Sequence, residues 1–508
     1  MNPIVRDPEL VIGIVGRMGV DTGTVFSWLE SELHSLHYTA HRIKLTDFIK
    51  NGNFGFELKD TPIEERYVSY IEACNKVREE TGLDEIFASY AVERIRAIRR
   101  ATNPDEKQIP IRRTAYVIDQ IKRPEEAAKL KQIYGQQFIL VSCHMPRDSL
   151  KSTFSRKIAE GHADSPKAYA WEGEAGKLIE QDEKETSVAH GQRVSDVFPL
   201  ADLIIDVSDQ KSGPALLQRF FQALFGNFSI SPTQNEFYQN IAFQVALTSC
   251  DTARQVGAAI SRDADILTTG FNEAPKSGGG TYWSDEGVDG RDVALGKDQN
   301  TIRKRQMVLD IIKRLAEAGE LKRNDIDDVR LAEEFLDDKN AALRKSQIMD
   351  TLEYGRAVHA EMAAISTAAR LGIALNNSTL HCTTFPCHNC SKHIVAAGIS
   401  EVFYVEPYAK SYTDDLYPDS ITIDQSDGSC GKVHFKQFIG ITPIRYKYLF
   451  AKDGLKDSKG KVHEWTARDA QPILEKLDQG HTNREVMFQK WVKENIAEKG
   501  KRFFNTQP

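Results

Sequence analysis

A chain of 508 residues is longer than one hydrophobic core usually supports, so two or more domains are expected. Hydrophobic residues at 41% and charged residues at 27% fit an ordinary globular protein, and no run approaches the ~20 apolar residues that cross a bilayer. Seven cysteines exclude a disulfide framework at this length, and a net charge of -7 weighs against a protein that tracks a nucleic-acid backbone. Residues 1–8 carry no apolar signal core, so a cytoplasmic protein without a membrane partner is expected.

The first elements alternate. Residues 11–15 read as an apolar strand entering a glycine-rich turn, followed by a helix over about 24–36. Further strands are expected at 115–118, 138–141 and 203–205, with helices at 124–134 and 214–224 among them. Such alternation predicts an α/β unit, a parallel sheet with helices on both faces. Its end is placed near Phe228, before the connector 229–233. Gly13, Gly16, Arg17 and Gly19 follow a strand and precede a helix, the setting of a phosphate-binding loop, and are candidate nucleotide-binding residues. The expected Gly-Lys-Ser/Thr is replaced by Asp21-Thr22-Gly23. The phosphate-binding lysine is absent from the loop, and Asp21 adds negative charge. Arg17 is the cation nearest to hand, and Arg112, Arg113 and Arg147 are further phosphate candidates against a reading as plain surface.

The second segment, 229–508, opens with an amphipathic helix over about 234–248 and strands at 256–261 and 266–271. A glycine-rich charged stretch (276–297) and helices at 302–318 and 328–345 form an insertion of about 276–355. Then come a helix at 359–371, a strand at 378–382, a helix at 387–397, a strand at 401–405, and a charged, mainly helical tail at 468–498. Internal repeats and long low-complexity tracts are not found.

The strongest signal is His359-Ala360-Glu361 followed by Pro386-Cys387-His388-Asn389-Cys390, the H-x-E and P-C-x-x-C spacing of zinc nucleobase deaminases. One imidazole and two thiolates give Zn²⁺ three protein ligands, His359, Cys387 and Cys390, and leave a fourth position for water. The metal lowers the pKa of that water so that it attacks C4 of a cytosine near neutral pH. Glu361, two residues from a ligand, is the expected proton shuttle and the catalytic residue. A lone C-x-x-C would leave a structural zinc site equally open; the upstream His-x-Glu favours a catalytic one. His381, Cys382, His388 and His393 crowd the same stretch and are read as packing or surface residues, with a second metal as the alternative.

Residues of about 234–450 resemble the cytidine and deoxycytidylate deaminase superfamily, in the branch that acts on free nucleotides. The resemblance is carried by Arg254-Gln255-Val256-Gly257-Ala258, by Thr269-Gly270-Phe271-Asn272-Glu273-Ala274-Pro275, and by the stretches 406–411 and 438–441. It implies a three-layer α/β/α fold and a substrate-binding role for Asn272, beside a plain turn-forming role. Gly278-Gly279-Gly280 and Trp283 follow that turn, as a loop that wraps phosphates or stacks a base, or as plain surface. The stretches 118–126 and 192–202 look like nucleotide kinases. The two-part arrangement, a P-loop kinase-like half (1–228) with a degenerate phosphate loop and then a deaminase half (229–508), resembles bacterial anti-phage deoxycytidine triphosphate deaminases. That resemblance implies conversion of dCTP, and in some members dCMP, to the uracil forms. It also implies a homo-oligomer. The missing lysine reads as a first half that has lost phosphoryl transfer and is kept to sense a phage-derived or nucleotide activating signal, or only as a scaffold; an active kinase would need Arg17 in the lysine's place. A metabolic dCMP deaminase is the nearest alternative. A polynucleotide editor would need a basic channel with aromatic platforms, and no stretch offers one.

Overall fold

The computed structural model describes residues 6–504 except 53, 105–108, 163–164, 184, 186–187, 286, 322–326, 338–340, 345, 409–410, 426–430, 453 and 475–479. Parts of four expected stretches therefore lie outside the described residues: residue 286 of the 276–297 stretch, 338–340 and 345 of the 328–345 helix, Ala409 and Lys410 of the 406–411 stretch, and 475–479 of the tail. The chain forms two compact units, one of residues 1–236 with 437–508, the other of residues 237–436.

In the first unit, β1 (Leu10–Gly16), β2 (Thr39–Lys44), β3 (Thr114–Asp119), β4 (Phe138–His144) and β5 (Leu203–Asp206) lie in the order β5-β4-β1-β3-β2, all mutually parallel. Every residue of β1, β3 and β4 is buried, which requires cover on both faces. The sequence reading missed β2. Only Ile43 of that edge strand is buried, so it shows no apolar run. Gly13 is a mid-strand residue, not part of the loop; a Cβ there would collide with Ile121.

The tail differs from expectation, because residues 437–508 pack into the first unit. A short strand, Gly440–Ile441, adds antiparallel to β5. Buried Arg445 donates Nε to Asp202 Oδ1 at 2.8 Å and Nη2 to the carbonyl of Gln136 at 2.9 Å. The expected tail helix is observed over His481–Asn495. Arg99, 1% exposed, joins it to the sheet, donating to Glu9 at 2.6 Å and to Glu485 at 2.5 Å. These are charged partners some 90 and 386 positions apart, and no hydrophobic periodicity announces them.

In the second unit, β6 (Gly257–Arg262), β7 (Asp265–Phe271), β8 (Thr379–Thr384), β9 (Glu401–Glu406), β10 (Ile421–Ile423) and β11 (Val433–Gln437) lie in the order β10-β11-β9-β8-β6-β7. β6 runs antiparallel to β7 and β8, and β8 runs parallel to β9. Two glycines set the layers. A Cβ on Gly257 would strike the backbone of Ala242 and Ala246, and one on Gly270 the backbone of Ala360 and Ala364. Gly257 pairs with Phe271 and Gly270 with Ala258, so the two glycines face opposite sides of the sheet. The 237–246 stretch of helix therefore covers one face and the Ala360–Leu371 helix the other, a three-layer α/β/α arrangement. The insertion carries the helices Gln299–Glu317 and Asp328–Asp337, closed over a small core of Val308, Ile312, Leu331 and Leu336.

Gly270→Ala is expected to push the Ala360–Leu371 helix off the sheet, costing ~1–3 kcal/mol as overpacked sites do; urea denaturation would read this as a lower midpoint. In the first unit the Glu9 carboxyl falls to about 2. Burial opposes this shift, but bonds from His481, Arg99 and the Ile111 amide outweigh it. A folded pKa below the ordinary 4.5 gives stability that is present above 4.5 and lost as the pH falls towards about 2. The stability gap between wild type and Glu9→Gln should accordingly narrow between neutral pH and about pH 3.

Candidate metal centre

The Ala360–Leu371 helix begins one residue after His359, and His388–Ala396 one residue after Cys387. Both residues are extended caps (φ -61° and ψ 151°; φ -68° and ψ 161°), where the sequence reading had them inside the helices. The consequence is chemical: both side chains leave a helix N-terminus, where the backbone dipole favours anionic ligand forms. Cys390 comes from the first turn of the second helix. That turn is braced by Ser391 Oγ, which donates to the Cys387 carbonyl at 3.0 Å and meets Thr413 Oγ1 at 2.8 Å. Ser411 Oγ donates to the carbonyl of Pro386 at 3.0 Å.

The structure brings the three expected ligands together. His359 Nδ1 lies 3.3 Å from Cys387 Sγ and 3.4 Å from Cys390 Sγ. The three donor atoms are within 4.8 Å of one another, and among the described residues this is the one group of His, Cys, Asp and Glu that could hold a metal. A tetrahedral zinc with its usual bond lengths needs N···S separations of about 3.6 Å, so the donor set fits the ion. The hydrogen bond with Cys390 and the His359 imidazole bring the Cys387 thiol down to about 4, while its bond to Cys387 pushes Cys390 up. The Cys387 contact raises His359 to about 9.

Glu361 is 4% exposed, in hydrogen-bond contact with Cys390, and burial raises its pKa. Cys382 lies in the same apolar cluster, its thiol pushed up by burial and its Sγ 3.5 Å from the carbonyl of Phe403. His381 points to the other face of β8, stacked on Phe403 at 5.1 Å, and takes no part in the metal group. His388 meets the edge of Tyr412 at 5.7 Å, and His393 is exposed.

Asn272 closes β7. Its Oδ1 accepts from the Val256 amide at 2.7 Å, and its Nδ2 donates to the Arg254 carbonyl at 2.8 Å. Among the described residues these are the two bonds its amide makes, out of the two hydrogens and two lone pairs that it carries. The residue that sequence reasoning missed is Glu273, 3% exposed. Its carboxylate accepts from the amides of Cys250 at 3.1 Å and Ala274 at 2.9 Å, and its carbonyl accepts from Val358, next to His359, at 3.0 Å. Glu273 thus ties the 249–256 loop to Val358, the residue beside His359. A carboxylate in a Gly-Phe-Asn-Glu-Ala-Pro run looks like a surface turn until its partners are known. The insertion also reaches this region, through Arg356 to Asp292 and through Arg291, whose Nη1 is 3.5 Å from Cys250 Sγ. Trp283 packs edge-on against Phe271 at 5.6 Å. Phe271 shares the face of Gly257, away from the metal group, which disfavours the base-stacking role.

Residues 232–406 match the family described as "Cytidine and deoxycytidylate deaminase zinc-binding region". The chain is 29% identical over 171 residues to the deoxycytidylate deaminase of Enterobacteria phage T2, covering 34% of this chain and 79% of that protein. It is 35% identical over 72 residues to ComE operon protein 2 of Bacillus subtilis (strain 168), covering 14% of this chain and only 38% of that protein. The solved dCMP deaminase from the cyanophage S-TIM5, in apo form, is 18% identical, with 41% of this chain and 98% of that one covered and a TM-score of 0.21. All three residues of the metal group lie within the stretch that matches this zinc-binding region. Zinc is the cofactor of that region.

Cys387→Ala should purify with little zinc by elemental analysis. Losing a residue that only hydrogen-bonds a ligand costs ~10–100-fold in metal affinity, and loss of a direct ligand should exceed that.

Proposed function

We propose that this chain hydrolytically deaminates a free deoxycytidine nucleotide, dCTP to dUTP with dCMP to dUMP as a second reaction, and so depletes the pool in anti-phage defence. The observation that carries the deaminase reading is the convergence of His359 Nδ1, Cys387 Sγ and Cys390 Sγ, with the buried Glu361 carboxyl against Cys390. His359, Cys387 and Cys390 hold the zinc, which when bound makes a water nucleophilic near neutral pH. Glu361 takes one proton as water adds to C4 and gives it to the ring nitrogen, then takes the second from the new C4 hydroxyl and gives it to the amino group, which leaves as ammonia. Its burial keeps that proton out of exchange with bulk water. Asn272 offers its remaining amide hydrogen and lone pair to the sugar or base edge, already oriented by its bonds to residues 254 and 256. Glu273 holds that loop beside His359.

The deoxycytidine nucleotide is supported by relatives that are themselves deoxycytidylate deaminases. The triphosphate, the defence role and the homo-oligomer rest on the two-part resemblance described above, and an activating phage or nucleotide signal on the lysine missing from the loop. No described helix is long and apolar enough to cross a membrane.

The test is a substrate panel of dCTP, dCMP, CTP, CMP and cytosine-containing single-stranded DNA, with uracil products quantified by mass spectrometry. Conversion of dCTP is the expected result. Conversion of dCMP alone would replace the defence reading with nucleotide metabolism, and conversion of the DNA alone would replace both. Glu361→Ala should keep zinc and fold while losing a factor of at least ~10²–10⁴ in turnover. Full turnover in that variant would remove Glu361 from the mechanism.

A further inference from the structure

The loop after β1 reads in the sequence as a phosphate seat that lacks its lysine. The structure supplies that lysine from elsewhere and, with it, an anion. Lys122 follows β3, and its Nζ donates to the Gly16 carbonyl at 2.9 Å and to both carboxylate oxygens of Asp182 at 2.8 and 2.9 Å. Asp182 Oδ2 also accepts the Met18 amide of the loop at 2.7 Å. A backbone amide and a lysine ammonium converging on one anion is how such loops hold phosphate. Here the anion is the chain's own carboxylate, 2% exposed.

The cation side is filled as well. Loops of this type place a divalent ion between a hydroxyl at the start of the helix and a strand-end carboxylate. The corresponding pair is Thr22 and Asp119, with Thr22 Oγ1 donating to Asp119 Oδ2 at 3.2 Å. Arg42 sits on the same oxygen, through Nε at 3.0 Å and Nη2 at 2.5 Å, with Nη2 also 3.4 Å from Thr22 Oγ1. The other cations of this region are engaged too. Arg17 Nη1 donates to Glu183 at 3.0 Å and Nη2 to the Met145 carbonyl, and Arg147 Nη2 donates to Glu180 at 3.2 Å. Asp182, Glu183 and Glu180 all come from one helix, Glu172–Glu183. A nucleotide triphosphate with its metal does not fit a seat in which both charges are already supplied.

We propose that the loop after β1 is a self-liganded anion seat. Asp182 stands in for the phosphate, Arg42 stands in for the metal ion, and the Glu172–Glu183 helix is a built-in ligand that a polyphosphate must displace. The Lys122–Asp182 and Arg42–Asp119 contacts are each neutral, and the further cation at the loop, Lys157, donates to the Gly19 carbonyl at 3.4 Å. This accounts for a loop that keeps Gly16 and Gly19 (φ +99°) yet tolerates Asp21 at its helix cap. Exchanging the carboxylates for a polyphosphate replaces ion pairs with ion pairs, so the seat is latent rather than destroyed.

The experiment uses the full chain with sodium tripolyphosphate and with Mg-ATP, reading the thermal midpoint and amide hydrogen exchange at Met18 and residues 172–183. Wild type should show neither a midpoint shift nor a change in exchange. Asp182→Ala should melt roughly 5–10 °C lower and recover with tripolyphosphate. Adding Lys122→Met to that variant should abolish the recovery, which separates this seat from binding elsewhere. Should Asp182→Ala not fold, Asp182→Asn keeps an acceptor for the Met18 amide while freeing Lys122, and should bind tripolyphosphate at least ~10-fold more tightly than wild type. Equal protection of wild type and variants would mean the seat is already open. No gain in either Asp182 variant would mean it is not an anion seat. Either result overturns the proposal.

Discussion

The second unit depends on one close approach, the backbone of the Ala360–Leu371 helix lying directly on β7 at Gly270. No side chain intervenes, so the helix has a fixed height above the sheet, and His359 at its cap is fixed with it. Cys387 and Cys390 come from a helix that shares the same apolar layer with Ala360, Ala364 and Cys382. Ligand atoms 3.3–3.4 Å apart need that shared floor, because an ångström of slip in either helix would separate nitrogen from sulfur. The matching contact at Gly257 holds the opposite layer and keeps the sheet from rocking between its two covers.

Polar groups do the remaining positioning. Asn272 and Glu273 hydrogen-bond to backbone, fastening the 249–256 loop and Val358, beside His359, to the end of β7. A polar side chain held this way loses little entropy when a ligand arrives. The braces on the 386–391 turn act likewise on the two cysteines, through hydroxyls donating to the carbonyls of Pro386 and Cys387.

The first unit is organised by buried charge. Arg99 between Glu9 and Glu485, Arg445 with Asp202, and Lys122 with Asp182 each join segments far apart in sequence, and each is at least largely buried. Such pairs add little net stability against an apolar replacement, but stranding one member is costly, so they enforce which segments meet. This is how the last seventy residues come to complete a unit begun by the first two hundred.

The sequence alone determined the elements whose signal is local. Strands β1, β3, β4 and β5 of the first segment with the helices that follow β1, β3 and β5, the strands β6–β9, and the converging group His359, Cys387 and Cys390 with Glu361 beside it were legible from local spacing, whereas the helices Ile63–Thr81, Ile86–Thr102, Arg147–Gly161 and Glu172–Glu183 were not named. The edge strand β2 and the three-residue β10 were not legible, since a half-exposed or three-residue strand carries no clear alternation; β11 does alternate, Val433 and Phe435 being buried between half-buried residues, but over only five residues. Only the tertiary structure decided where the tail packs, what Glu273 holds, and that Lys122 and Asp182 meet at the loop the sequence had marked as lacking its lysine. The physical reason is the same in each case. A charged residue reads as solvated surface until partners brought to it by the fold, 60 positions away for Lys122 and Asp182, 386 for Arg99 and Glu485, or backbone amides for Glu273, give it a buried place.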